Sequence, residues 1–363
     1  MSLKQYLAFC EQTVRNTIPG SPVNMFYPVE GKLDPTPEFK EDPVKEWRAQ
    51  ETAQGDVEAD RSSTAFKFAW ESRIFPGDEL VLLLTHLFGT ASAPVNLSAP
   101  DAAARRFMFS TSSEIFGDGA SLADKALALF PHTGKPGSAT TTCQNFPGFR
   151  FKDAEFDFKG GEFAKFKGNM MTGPWAGNPE QTAIAGVSFP AAKAFRSAPK
   201  IYLGAGATLT GTAGAYTDFA PGTIPGGKPD DLNIKFNPGH DDKYKMNGED
   251  GPSVTEKTGA WDIAIDYTHD FADPATGWSS YDAWFARFGG IQYVPVMVIL
   301  DSKEIITGCT AQKYELGIYI PKMKITADVP ERKNDGSKPK IKISLKHYID
   351  PAVNVAAFVK LIC

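Results

Sequence analysis

With 363 residues, 42% of them hydrophobic and 22% charged, the chain has enough apolar material for a core in each of roughly two or three domains, which excludes a disordered polypeptide. A net charge of −5 and a pI near 5.7 argue against tight nucleic-acid binding over the general surface, and the scattered Cys10, Cys143, Cys309 and Cys363, with no CxxC pair, exclude a zinc finger and fit a reducing compartment. The apolar runs Leu80 to Leu84 and Val294 to Leu300 are too short to span a bilayer, and MSLKQYLAFCEQTV has no sustained apolar core, so the expectation is synthesis in a cytoplasm without an export signal and with no membrane partner.

In chain order, residues 1–60 open with a short expected helix and then pass through Pro19, Pro22, Pro28, Pro35, Pro37 and Pro43 amid charges. That spacing forbids a long helix or a central strand, so the segment is expected as an extended arm with loops, lying on its own domain or on a neighbouring subunit. Residues 61–196 form a first expected domain. It starts with a strand through Phe66, Phe68 and Trp70, followed by a helix from Glu79 to Phe88 with Asp78 as N-cap, Gly89 as C′ residue and an apolar face of Leu80, Leu83, Leu84, Leu87 and Phe88. Between Thr90 and Pro147 a strand at Arg106 to Ser110 and a helix from Leu122 to Phe130 are expected.

The stretch Gly148 to Met171 reads as a β-hairpin. Phe149 and Phe151 alternate, the phase slips by one, and Ala154, Phe156 and Phe158 continue, which predicts a β-bulge. After Gly160-Gly161 the return strand carries Ala164, Phe166 and Met170. A three-residue loop sets Phe158 opposite Ala164 and Phe156 opposite Phe166 on one face, and Asp157 opposite Lys165 and Glu155 opposite Lys167 on the other.

A second domain is expected over 197–350, followed by a tail over 351–363. It includes strands at Lys200 to Leu203 and at Leu232, Ile234 and Phe236, an irregular glycine-rich stretch between Gly204 and Pro229, and a turn-rich hairpin or surface loop at PGHDDKYKMNGEDG. Trp261, Ile263, Ile265 and Tyr267 alternate as a strand, and Tyr281, Trp284, Phe285 and Phe288 have helical spacing ahead of Gly289. Val294 to Leu300 is expected as a buried strand. From Gly317 onward the hairpin pattern returns: Ile318 and Ile320, a slip at Pro321, then Met323, Ile325 and Ala327, at one constant offset from Phe149 through Phe158. The return strand Ile341, Ile343, Leu345 and His347, with Ala164 matched to Ile341, alternates with Lys340, Lys342, Ser344 and Lys346 after a longer loop. Strand, helix and hairpin thus recur in order, an internal duplication. The helices match at a larger offset (Phe88 with Phe288) than the hairpins do, so the first set carries extra residues between helix and hairpin.

Enzyme chemistry is not evident in the sequence. GAGATL at 204 and GDGASL at 117 lack the third glycine of a dinucleotide loop, and there is no GxSxG, P-loop, HExxH or EF-hand pattern. His240-Asp241-Asp242 reads as a solvated turn before it reads as a cation site. The alternating Asp153, Glu155 and Asp157 are explained by pairing with lysines across a ladder rather than by acid–base catalysis. No cofactor, no metal and no catalytic residue is expected.

This organisation resembles the tube-forming domain of the tail tube (major tail) proteins of long-tailed bacteriophages. The resemblance is carried by FKFAWESRIFPGDELVLLLTHLFG at 66–89 and FPGFRFKDAEFDFKGGEFAKFKGNM at 146–170, with WDIAIDYTHDF, SYDAWFARFGG and ELGIYIPKMKITADV in the second set. It implies a mainly β fold, a duplicated β-sandwich or half-barrel with a short flanking helix, whose sheets join between subunits into a closed barrel. It implies a virion protein rather than an enzyme: trimeric, pseudo-six-fold rings stacked into the hollow tail tube through which DNA is ejected. The implied partners are further copies of the chain, a tape measure protein inside the tube, tail-tip and tail-terminator proteins, and DNA passing without specific binding. The implied lumen-facing residues are Asp153, Glu155, Asp157, Lys165, Lys167, Lys322, Lys324, Lys340 and Lys342. The family tends toward an electronegative lumen, from which the lysines of the second hairpin depart. A carbohydrate-binding or adhesive β-sandwich module is the alternative, and a two-carboxylate glycoside hydrolase a third.

Overall fold

The protein is described from a computed structural model covering residues 4–13, 24–26, 28–30, 35–44, 58–89, 92–111, 126–134, 141–172, 180–184, 190–203, 208–212, 215–220, 229–243, 254–257, 259–270, 293–327 and 340–363. It is mainly β, with one helix among the described residues, and most strands join an 18-stranded sheet.

Two series of strands pair in the same order, all antiparallel. In the first series, Glu58–Arg73 pairs with the return strand Lys165–Thr172, which pairs with Thr141–Lys159. Thr141–Lys159 also pairs with Ala126–Gly134, itself paired with Lys4–Gln12, and with Glu180–Ile184. In the second series, Asp262–Asp270 pairs with the return strand Lys340–His347, which pairs with Lys313–Ala327. Lys313–Ala327 also pairs with Tyr293–Ile305, itself paired with Lys200–Leu203, and with Phe358–Ile362. The series meet where Asp231–Asn237, paired with Asp262–Asp270, also pairs with Thr141–Lys159, from Asp231 opposite Lys159 to Phe236 opposite Ala154.

The predicted register holds in the first hairpin: Phe156 lies opposite Phe166, Asp157 opposite Lys165 and Glu155 opposite Lys167. The bulge is where the phase slips, since Asn169 faces Asp153 and Met170 faces Phe151, leaving Lys152 as the extra residue. In Lys313–Ala327 of the second hairpin the register slips at the corresponding place, between Ile320 and Met323, but against Tyr293–Ile305 rather than against the return strand. Its return strand, however, sets Leu345 opposite Ile325, so Phe166 corresponds to Leu345 rather than to Ile343. The loop before it is longer than the apolar spacing suggests, because a shift of one pleat repeat leaves the alternation unchanged.

Helix Asp78–Phe88 takes Gly77 as its N-cap, with Asp78 and Glu79 in its first turn, so Asp78 is a helical residue rather than the cap. Its buried leucines face the apolar side of the sheet, and Phe88 packs on Phe236 (5.0 Å between centroids) and stacks on Trp261 (5.7 Å). A helix of the first series thereby covers strands of the second. Gly168 lies under Trp70, where a Cβ would stand 2.7 Å from Nε1, so only glycine lets the indole cross the return strand.

Two expected helices are strands. Lys4–Gln12 and Ala126–Gly134 pair with each other, and Leu7–Cys10 and Ala126–Phe130 are buried residue after residue. A strand buried on both faces shows a continuous apolar run, which periodicity does not separate from a buried helix. Pro37 and Pro43 lie in a strand, Thr36–Val44, rather than in a loop, and it pairs only with Glu58–Arg73 among the described strands, an edge position that proline tolerates. The glycine-rich stretch after Gly204 contains the hairpin Thr208–Thr212 and Ala215–Ala220. The region expected as a second helix, Trp278 to Gly289, lies outside the described residues.

The segment after the helix belongs spatially to the second series. Arg105–Ser110 pairs with Phe358–Ile362, Phe107 opposite Leu361 and Phe109 opposite Val359. Asp101 fixes the same segment to the turn after Ile305, its Oδ1 accepting backbone N–H groups of Thr310 (2.7 Å) and Ala311 (3.1 Å).

Candidate functional site

The nine residues implied to face a lumen lie on four strands: Thr141–Lys159, Lys165–Thr172, Lys313–Ala327 and Lys340–His347. Strand geometry sends alternate side chains to opposite faces. Phe156, Phe158, Phe166, Ile325, Ile343 and Leu345 are buried in the common core. Asp153, Glu155, Asp157, Lys165 and Lys167, with Lys322, Lys324, Lys340 and Lys342, therefore share the other face of the sheet.

The first-series part of this face neutralises itself. Lys167 Nζ lies 2.8 Å from Glu155 and 2.9 Å from Asp157, and Lys165 lies 2.7 Å from Glu71. Asn169 donates to Asp153, and Asn233 donates to Glu155. Asp157 is buried among these partners. Burial works to lower the Lys167 pKa, but the hydrogen bonds and charges of Glu155 and Asp157 outweigh it and hold the ammonium well above the usual lysine range.

The second-series part is lysine-rich and less well paired. Lys324 lies directly opposite Lys346, a like-charge cross-strand pair. Lys346 lies 3.8 Å from Asp262, both side chains exposed, and Lys340 contacts Asp230 at 2.6 Å. Lys322 lies over the ring of Tyr293, 4.8 Å from its centroid. Lys342 lines a shallow groove with Asp157, Lys167, Asp231, Asn233 and Asp266. Here the acidic partners are Asp262 and Asp266 of the neighbouring strand, with Asp266 accepting from Ser344.

Further along the same strands this face turns apolar. Met297, Ile299, Tyr319 and Phe358 are covered by Phe219 and Tyr216 of the 208–220 hairpin. The hairpin is held by Lys360, whose Nζ lies 2.7 Å from Glu315 and 3.2 Å from Asp218, and by Arg106 on Asp218.

No family model and no curated protein matches the chain. Its own geometry has to carry the functional reading. Among the described residues no cluster of His, Cys, Asp and Glu is placed to hold a metal, and no helix is long and apolar enough to cross a membrane. His240 is buried in the strand His240–Lys243 rather than solvated in a turn. Glu71, Asn233 and Asp266, which complete the polar face, are out of phase with the apolar residues of their strands. That was the signal available for them. The Lys360 network had none, since it joins residues far apart in the chain.

Proposed function

We propose that the chain is a structural protein that polymerises as stacked rings into a hollow tube of the phage tail-tube kind, with the polar sheet face lining the bore. The observation that carries this reading is the seam within the chain, where Thr141–Lys159 of one series pairs with Asp231–Asn237 of the other. We read the two series as copies of one half-barrel unit, and this seam as the unit-to-unit joint. The same joint has two open ends. At one end, pairing with Tyr293–Ile305 stops at Lys324, leaving Ile325–Ala327 with no described partner on that edge. At the other, Pro28–Glu30 pairs with Glu58–Arg73 and with no other described strand.

These ends are complementary. Phe156 faces Ile234 across the seam, and Ile234 in turn faces Ile265. Ile325 corresponds to Phe156, and Pro28, opposite Ser72, corresponds to Ile234. Joining one chain to the next in the register of the internal seam sets Ile325 against Pro28 of the neighbour. Unlike edges joined head to tail generate a ring where the rotation closes, rather than a two-fold dimer, and closure removes the exposed edges. Three chains then supply six units in pseudo-six-fold order. Transiting DNA and a polypeptide filling the bore are the contents such a tube would hold, and tip and terminator proteins would occupy its ends.

Negative-stain electron microscopy over a range of concentrations tests the assembly, and rings or tubes with three-fold or pseudo-six-fold end views are expected. The double variant Pro28→Cys with Ile325→Cys should form disulfide-linked multimers on oxidation, which neither single variant forms. A discrete monomer at every concentration, with no cross-linking, would overturn the proposal.

A further inference from the structure

The lysines of the second-series face stand out because, among the described residues, Lys322, Lys324 and Lys342 form no ion pair, whereas Lys340 contacts Asp230 and Lys346 lies 3.8 Å from Asp262. Equivalent places in the two hairpins carry opposite charge: Asp153 corresponds to Lys322 and Glu155 to Lys324. Lys324 and Lys346 sit directly opposite, an arrangement that is unfavourable unless an anion lies between or above them. Lys342 and Lys346 are exposed. At the end of the strip Tyr293 and Tyr348 meet edge to face, 42% and 39% exposed, beside Ile349 at 54%. The strip therefore offers a row of cations ending in an apolar patch, on adjoining strands spaced about 4.8 Å apart.

Its width selects the partner. Asp262 and Asp266 bound the strip on the next strand, and Asp231 follows beyond. A DNA duplex, whose grooves alone measure about 12 and 6 Å, would lay phosphates over these carboxylates as well as over the lysines. A polypeptide helix, about 10–12 Å across, can rest on the lysine strip alone. We propose that Lys322, Lys324, Lys342 and Lys346, with Tyr293 and Tyr348, form a docking surface for an acidic, amphipathic helical segment of a polypeptide partner. The surface belongs to a single chain, and only its place inside a bore rests on the tube reading.

The probe is a synthetic amphipathic peptide with glutamates at helical i, i+4 spacing and leucines at one end. Its binding is followed by fluorescence anisotropy at protein concentrations below ring formation. Binding is expected at low salt and should be lost as salt rises. The double variant Lys324→Glu with Lys342→Glu should bind about tenfold more weakly. Lys313→Glu, on the same strand away from the strip, should bind as the wild type does. A peptide with glutamine in place of glutamate should not bind, which keeps the test sharp even if a protein variant misfolds. Absence of peptide binding at low salt, equal binding by the double variant, or displacement by a short DNA duplex at equal or lower concentration would each overturn the inference. Failure to see rings by microscopy would leave this result standing, and failure here would leave the rings standing.

Discussion

Replacing Phe88 by alanine tests whether the two series of strands form one cooperative body. Phe88 is fully buried at the last turn of the helix, edge to face with Phe236 and stacked on Trp261, both in the second series. A buried phenylalanine truncated to alanine costs about 3–5 kcal/mol. Two aromatic partners, each adding about 0.5–1.5 kcal/mol beyond simple burial, place Phe88→Ala in the upper part of that range, about 4–5 kcal/mol. Phe88→Leu keeps most of the volume and should cost about 1.5 kcal/mol. Guanidinium unfolding followed by tryptophan fluorescence reads both, and a single transition should move to lower denaturant with its slope unchanged. A loss below about 1 kcal/mol, or two transitions of which only one moves, would refute the reasoning.

Gly168→Val should destabilise by about 1–3 kcal/mol in thermal melts, because its side chain must enter the space held by Trp70 and Phe151, and Gly168→Ala should cost less. Lys360→Met leaves Glu315 without its cation beside a mostly apolar cluster and should cost about 3 kcal/mol in urea titrations; a neutral result would mean that the charges are solvated. Burial pushes the Cys363 thiol from about 9 up to about 11, so its iodoacetamide labelling at pH 8 should be far slower than that of an unfolded cysteine. The sign for stability follows from the same shift: the contribution of the neutral thiol is complete below pH 9 and is lost as pH rises toward 11, and Cys363→Ser should flatten that stretch of the stability profile.

Much of this fold was legible as alternation. The phase slip at Lys152 located the bulge of the first hairpin, that at Pro321 located a slip against Tyr293–Ile305, and opposed charges at Glu155 and Lys167 fixed the register of the first hairpin. Three features resisted for physical reasons. Leu7–Cys10 and Ala126–Phe130 are buried on both faces and show no period. The second return strand slides by a pleat repeat without disturbing its pattern, which hid the true partner of Ile325. The polar face was legible in its hairpin residues, but Glu71, Asn233 and Asp266 joined it only through pairings between distant segments, which local sequence does not encode.

The strand Arg105–Ser110 ties the two series together a second time, apart from their seam. It leaves the first series, runs along Phe358–Ile362 and puts Phe107 and Phe109 into the common core, while Arg105 exchanges both backbone hydrogen bonds with Cys363. Neither half can then be exchanged for a relative's, or deleted, without opening the other. A substitution that shortens Phe107 or Phe109 should therefore also loosen Leu361 and Val359 opposite them, so that damage begun in one series is felt in the other.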